Sequence, residues 1–364
     1  MHRHTYLEKD VALGNSGERT TDINIQDPIT ALWLEMRCNN GTTKNLYNPM
    51  HFNIDAVEII DGSTVVWSLD GAEMLGLVCA QLGFMPTQKF NEPGNDPQTL
   101  SLPILFGNFI GDKERSFDPR RFVNPQVRVK WNLANVNAVG ATGFATGGLT
   151  MTLIAEVMEG APAPRSMLSA KEVYTYTAAA GTEYVDLPTD HPYKGLMVRA
   201  VATTSHWWEV ISNLKLNLDG GKEVPFDIGT EDLQYQLFLR QPRLHYRHWM
   251  YLKDQDTLYS WLKEYESVML IAEDLADTVY YYSNYEYGQR TVTIYTAGSA
   301  RTSYVNTGAD IHGYFPFHCV YIPFGDQKLP AEWFQAQNHG SVRLELTGLL
   351  ARSVYLCLLQ DRPY

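Results

Sequence analysis

The sequence predicts an all-β protein built as two β-sandwiches in tandem, with a few short helices. Three observations carry this reading. Short runs of alternating apolar residues dominate, separated by clusters of Gly, Pro, Asn and Asp, as in sandwich strands and their turns. The chain has 364 residues, 45% of them apolar, enough to fill two cores of ordinary size. A set of sequence landmarks also occurs twice, in the same order.

The strands of the first half read as Thr30–Arg37, Ala56–Asp61, Thr64–Leu69, Leu100–Phe106, Gln126–Leu133 and Leu149–Val157. In Gln126–Leu133, the residues Val127, Val129, Trp131 and Leu133 fall on one side. Arg128, Lys130 and Asn132 fall on the other, which marks a half-buried strand. Helical pieces are few, Gly71–Leu82 and Thr230–Met250 being the best, and Pro242 should break or kink the second. Short turns are expected at Pro119–Phe122 and Pro330–Phe334.

The repeat sets Asp61-Gly62 over Asp219-Gly220, an offset of 158 residues. Without a gap, Val66 falls on Val224, Gly71 on Gly229, Glu73 on Glu231 and Leu75 on Leu233. Each copy reads as strand, Asp-Gly hairpin, strand, then a Gly opening a helix with an acid in its first turn. Asp-Gly supplies the positive φ of a tight hairpin, and the acid suits the positive end of the helix dipole. Further on, LPILFG (Leu102–Gly107) matches VYIPFG (Val320–Gly325), and FDPRRF (Phe117–Phe122) matches LPAEWF (Leu329–Phe334). Alternating strands follow in both copies, Gln126–Leu133 and Ser341–Leu346, then Leu149–Leu153 and Val354–Leu358. The offset grows to 218, so the second copy carries about sixty extra residues within Tyr235–Gly313. The expected division is an N-terminal arm over 1–22, a first sandwich over 23–159, a linker over 160–182 and a second sandwich over 183–364. The insertion occupies about 235–313.

With 29 Lys and Arg against 41 Asp and Glu, the net charge is −12, and no basic stripe speaks for nucleic-acid binding. Cys38, Cys79, Cys319 and Cys357 have no metal spacing and read as buried free thiols. MHRHTYLEKD lacks the apolar core of a signal peptide, and no stretch approaches a membrane span.

The paired strand–Asp-Gly–strand–Gly-x-Glu units, the LPILFG/VYIPFG pair, and FDPRRF followed by NPQVRVKWN (Asn124–Asn132) resemble the double jelly-roll major capsid proteins. These belong to tailless icosahedral viruses, the lineage of adenovirus hexon, and a bacteriophage is the expected source. The resemblance covers about residues 20–364. It implies two tandem eight-stranded jelly rolls, three chains forming a trimer of six rolls, and a place in the virion shell after synthesis in the host cytoplasm. The implied partners are the chain itself, neighbouring trimers, penton and minor capsid proteins, and an internal membrane beneath the shell. No cofactor is implied. The arm would carry a base or membrane contact through His2, Arg3, His4 and Lys9, with a weak helical stretch over Tyr6–Leu13. In the insertion, Tyr280, Tyr281, Tyr282, Tyr285 and Tyr287 are candidates for a subunit or host contact, against the plainer reading of a buried hairpin.

Catalytic signatures are weak. His245 and His248 sit at i, i+3 and could share a helix face, but no third metal ligand is fixed. Glu264, Glu266, Glu273 and Asp274 offer carboxylates without any spacing that would place two across a glycosidic bond. The Ala134–Gly148 loop has no Lys-Ser/Thr to make it a phosphate cradle. The rival readings are a minor capsid or spike protein, and a carbohydrate-binding or carbohydrate-hydrolysing β-sandwich protein.

Overall fold

The structure, a computed structural model, describes residues 1–364 except 43–44, 46–47, 87, 90–93, 136–142, 202–204, 253–256, 260–261, 273–278, 287–288 and 297–304. Over 88–89 and 247–309 it describes the strands by their backbone alone.

The first roll contains β1 (His2–Ala12), β2 (Ser16–Asp22), β3 (Ile29–Asn39), β4 (Ile54–Asp61), β5 (Thr64–Leu69), α1 (Gly71–Leu82), β6 (Gln88–Lys89), β7 (Pro97–Leu105), β8 (Pro125–Asn132) and β9 (Thr150–Met158). Its two sheets run β1-β9-β3-β7-β6 and β2-β8-β4-β5. The second roll opens with β10 (Ser166–Thr177), β11 (Gly181–Leu187), β12 (Tyr193–Ala200), α2 (Trp207–Val210), β13 (Ile211–Leu218), β14 (Glu223–Gly229) and α3 (Thr230–Phe238). An insertion follows: β15 (Leu244–Leu252), β16 (Thr257–Tyr259), β17 (Leu262–Ala272), β18 (Val279–Glu286), β19 (Gln289–Thr296) and β20 (Val305–Pro316). The roll closes with β21 (Cys319–Pro323), β22 (Val342–Gly348) and β23 (Ser353–Pro363), giving sheets β10-β23-β12-β21 and β11-β22-β13-β14. The strand order of each sheet is the same in the two rolls once β6 and the insertion are set aside. Each roll is therefore an eight-stranded jelly roll.

The repeated hairpins make the same tie, although the second turn is longer, with Asp61 facing Thr64 in one and Leu218 facing Glu223 in the other. Asp61 Oδ1 accepts from the backbone N–H groups of Val123 (3.0 Å) and Asn124 (2.7 Å), just ahead of β8. Asp219 Oδ1 accepts from Gly340 (2.7 Å) and Ser341 (3.2 Å), just ahead of β22. One carboxylate in each copy thus ties the hairpin to the loop that returns to its neighbouring strand. Gly62 and Gly220 have φ of 59° and 71°, the region where a side chain is strained.

The expected strands of the first half appear, Gly71–Leu82 is helical as read, and all four cysteines are buried and free. Three expectations need correction. Residues 1–22 are neither a free arm nor helical over Tyr6–Leu13, because they form β1 and β2. Among the described residues both are edge strands, β1 paired only with β9 and β2 only with β8. Half of an edge strand faces water, so SGERTTD carries no apolar alternation to reveal it. The expected 160–182 linker is mostly β10, which pairs with β23 along Ser166–Thr177. Its first five residues are buried and its last seven alternate in and out of exposure, so no single period runs through it. The expected Thr230–Met250 helix ends at Phe238, and Leu244–Leu252 is a strand, with Pro242 in the break between them.

The insertion forms two three-stranded antiparallel sheets, β15-β20-β17 and β16-β19-β18. Its ends are anchored, since Leu244 and Ile311 are buried in the larger core.

Candidate functional site

The site with the densest chemistry is the junction of the two rolls. The sheet β2-β8-β4-β5 continues across a parallel pairing of Ser68 with Lys171 into β10-β23-β12-β21, making one eight-stranded sheet. Behind it, α1 lies on the outer face of the second roll's sheet. A Cβ at Gly76 would overlap Cys319 Cβ on β21, so only glycine permits this approach. A Cβ at Gly71 would overlap the His51 carbonyl oxygen, so the helix start is equally fixed.

The start of α1 follows from its sequence. Asp70 Oδ1 accepts from Glu73 N (2.7 Å) and Glu73 Oε2 accepts from Asp70 N (3.0 Å), a reciprocal cap. The second Asp70 oxygen receives Arg199 Nη1 from β12. Arg199 is buried, with its guanidinium 5.1 Å from the centre of the Tyr355 ring. Glu73 is wholly buried. Burial, reinforced by the Asp70 charge, pushes its carboxyl up to about 8. Burial likewise raises Glu172 and the thiols of Cys79, Cys319 and Cys357. At neutral pH Glu73 therefore keeps its proton and these thiols are not thiolates. Asp70–Arg199 is left as the ion pair linking the rolls here, and it has the character of a structural clasp.

A second clasp lies further along the seam. Arg115 Nη2 is 3.3 Å from Asp361 Oδ2, and its guanidinium stands 5.0 Å from the centre of the Trp333 ring. Lys194 Nζ donates to Asn108 Oδ1 at 2.6 Å and lies 5.5 Å from the same ring. Burial, then the nearby Arg115 charge, lowers Lys194 to about 8. At the end of the chain, Tyr364 OH donates to Ser116 O (2.7 Å) and accepts from Asp118 N (2.8 Å). The last strand of the second roll is thereby tied to the FDPRRF turn of the first.

The sequence-derived candidates lie elsewhere. His2, Arg3, His4 and Lys9 are exposed on β1. His2 Nδ1 is 3.1 Å from Glu156 Oε1, and His4 Nε2 is 3.7 Å from Glu156 Oε2. Trp33 Nε1 also donates to Glu156, at 3.3 Å, so this carboxylate gathers three partners on the outer face of the first sheet. Tyr280, Tyr281, Tyr282 and Tyr285 lie in β18, opposite Tyr295, Ile294, Thr293 and Arg290 of β19. Tyr280 and Tyr282 hold positions of one parity, Tyr281 and Tyr285 the other. Their side chains, and Tyr287 altogether, lie outside the described residues. The Ala134–Gly148 loop falls partly outside them too. His245 and His248 are not on a helix. They lie in β15, where i and i+3 fall on opposite faces, and His245 Nε2 is 3.3 Å from Asp310 Oδ1.

Sequence reasoning missed Arg199, Lys194 and Arg115. A signal existed for two of the clasp residues. Asp70-x-x-Glu73 ahead of an apolar run is a capping box, and Arg199 is a lone charge in LMVRAVA. Among the described residues no group of three or more His, Cys, Asp or Glu could hold a metal ion, and no helix is long and apolar enough to cross a membrane.

No protein-family model matches the chain, and no curated protein matches it. Solved structures do. The major capsid protein P2 of bacteriophage PM2 aligns at a TM-score of 0.56 and 9% identity, over 100% of this chain and 98% of that one. The STIV MCP aligns at 0.58 and 11%, over 100% and 97%. The PBCV-1 virus capsid aligns at 0.56 and 11%, over 99% and 93%. N-glycanase F, a candidate for the carbohydrate reading, reaches only 0.29, too low to carry an argument. The likeness shows the fold: this chain is a double jelly roll along its whole length.

Proposed function

We propose that this chain is the major coat subunit of an icosahedral virus, assembling as homotrimers that tile the shell. One observation carries the reading. Two rolls of identical strand order are locked by a shared sheet and buried clasps, over the full length aligned with three viral capsid proteins. Two similar rolls per chain let a threefold oligomer fill a sixfold lattice position. The chain acts by fitting against copies of itself, neighbouring trimers, and penton and minor proteins, and catalyses nothing. The cations of β1 suit a protein neighbour better than a bilayer, because that strand has no apolar face to insert.

The insertion supplies a clasp to a neighbour or a surface turned to the host. Long additions at a surface cost little closure entropy and tend to carry function. Deleting 253–304 spares the buried anchors Leu244 and Ile311. It should leave the two rolls folded and impair assembly or attachment, and loss of folding would sink this part of the reading.

The central test is mass and abundance. Purified chain should have the mass of a trimer in light scattering, and this chain should dominate purified virions. A monomer at every concentration, or a trace component of the particle, would overturn the proposal.

A further inference from the structure

A cavity of about 530 Å³ lies at the seam between the rolls, beside the second clasp. The first roll lines it with Gln81, near the end of α1, and with Asn108 and Phe109, which follow β7. The second roll supplies Lys194 from the start of β12, Arg240 just past α3 and Lys328 after β21. No Asp or Glu lines it. Three cations gather at one cavity in a chain whose net charge is −12, so the cavity runs against the charge of the molecule around it.

Lys194 is the buried member, only 5% exposed. A buried charge is ordinarily matched by an opposite one. The two carboxylates that act on Lys194 are committed elsewhere. Asp361 takes Arg115. Asp112 Oδ2 accepts from Asn108 N (3.1 Å), and its Oδ1 accepts from the backbone N–H groups of Glu114 (3.0 Å) and Arg115 (3.2 Å). Among the described residues, the Lys194 ammonium therefore meets a neutral amide oxygen, Asn108 Oδ1, and the Trp333 ring, with no ion pair. An ammonium has three N–H donors, and the amide oxygen uses one of them. Burial and the like charge of Arg115 both press on Lys194, and an anion would relieve both. Gln81 adds a buried donor, Nε2, that has no acceptor among the described residues. Arg240 and Lys328 are exposed, and the Phe109 ring, 60% exposed, stands beside these charges as an open apolar surface.

We propose that this cavity binds a small organic phosphate monoester, its dianionic head held by Lys194, Arg240 and Lys328 and its apolar part laid against Phe109. Three cations match a dianion better than a single carboxylate, and an arginine fork with lysine point charges suits phosphate oxygens. The volume is that of a small-molecule site and exceeds what a bare inorganic ion would fill. Both rolls contribute, so the ligand binds the docked chain and not the unfolded one, and it would stabilise the seam in proportion to its occupancy. The site goes beyond the self-assembly reading and does not depend on it.

The test titrates phenyl phosphate, inorganic phosphate and benzoate into the full chain, read by calorimetry and by thermal unfolding. Phenyl phosphate should bind and raise the unfolding temperature progressively. Inorganic phosphate should bind more weakly, and benzoate about tenfold more weakly or worse. Lys194→Met keeps an apolar stem and removes the charge, and it should weaken phenyl phosphate by about tenfold or more. Arg240→Ala changes an exposed position, so circular dichroism should show the fold retained while phenyl phosphate binding falls in the same way. Phe109→Ala should weaken phenyl phosphate and leave inorganic phosphate unchanged. A wild type that binds none of the probes at millimolar concentration would overturn the site, and so would full phenyl phosphate affinity in Arg240→Ala and Lys194→Met. Benzoate binding as tightly as phenyl phosphate would overturn the choice of a phosphate.

Discussion

The two helices α1 and α3 occupy the same place in the same fold and live in different surroundings. α1 carries a full capping box, buries nine consecutive residues from Gly71 to Cys79, and is apolar nearly all round. α3 is capped by Gly229 with no side-chain bond, buries Thr230, Gln234 and Leu237, half-buries Leu233 and Phe238, and exposes Glu231, Asp232, Tyr235 and Gln236. Topology does not decide which; the neighbour does. α1 has a roll on either side, so it needs glycine at position 76 to fit. The chain offers α3 no second roll, and the residue six past its cap, where α1 has Gly76, is a tyrosine.

Four experiments would break or sharpen that contrast. The largest effect should come from Arg199→Ala, which strands Asp70 at the junction. Loss of one partner of a buried pair costs about 3–5 kcal/mol, and the partial exposure of Asp70 puts this loss at the low end; urea unfolding would measure it. No change in the midpoint would mean the rolls are held without this clasp.

Next comes the pH dependence of Glu73. Its carboxyl rises from 4.5 unfolded to about 8 in the fold, so the folded state holds the proton more tightly. The stability tied to that proton is fully present below about pH 4.5 and is lost as pH climbs through 8. Glu73→Gln should remove most of this slope and gain on the wild type by a few kcal/mol near pH 8. Glu172, raised in the same direction, would keep the remainder. Parallel pH profiles for variant and wild type would refute the assignment.

Gly76→Leu should destabilise the monomer by about 1–3 kcal/mol through overpacking against Cys319. The matching change on α3, Tyr235→Leu, should leave thermal unfolding of the isolated chain nearly unchanged. Equal losses at both positions would erase the distinction between the helices. The smallest effects should come from Asp61→Ala and Asp219→Ala, each releasing two backbone N–H groups at the surface. Similar small losses are expected in both rolls, and a large loss in one alone would show that the hairpins are not equivalent.

The sequence made the central strands legible because both neighbours and one core face impose a strict period on them, as in Val127, Val129 and Trp131 of β8. It hid β1, β2 and most of β10 for the opposite reason. β1 and β2 sit at edges, and β10 runs from full burial at the junction into alternating exposure, so no single period holds. The hairpin repeat was visible because an Asp-Gly turn is local chemistry. The clasps were not, because Asp70 and Arg199 are 129 residues apart and only the docking of two rolls brings them together.

The shared sheet has a mechanical consequence. Two domains joined by a flexible tether can pivot, and a lattice of such units can take up curvature inside each unit. Here one parallel strand pairing, Ser68 with Lys171, crosses the boundary, and α1 is keyed into the second roll by a glycine. Bending one roll against the other would open that close-packed face, which resists small deformations. Such a chain would behave as a stiff plank. Any closed surface made from it must take its bends at the joints between planks, and the angle at those joints, not the flexibility of the plank, would set how large the surface grows.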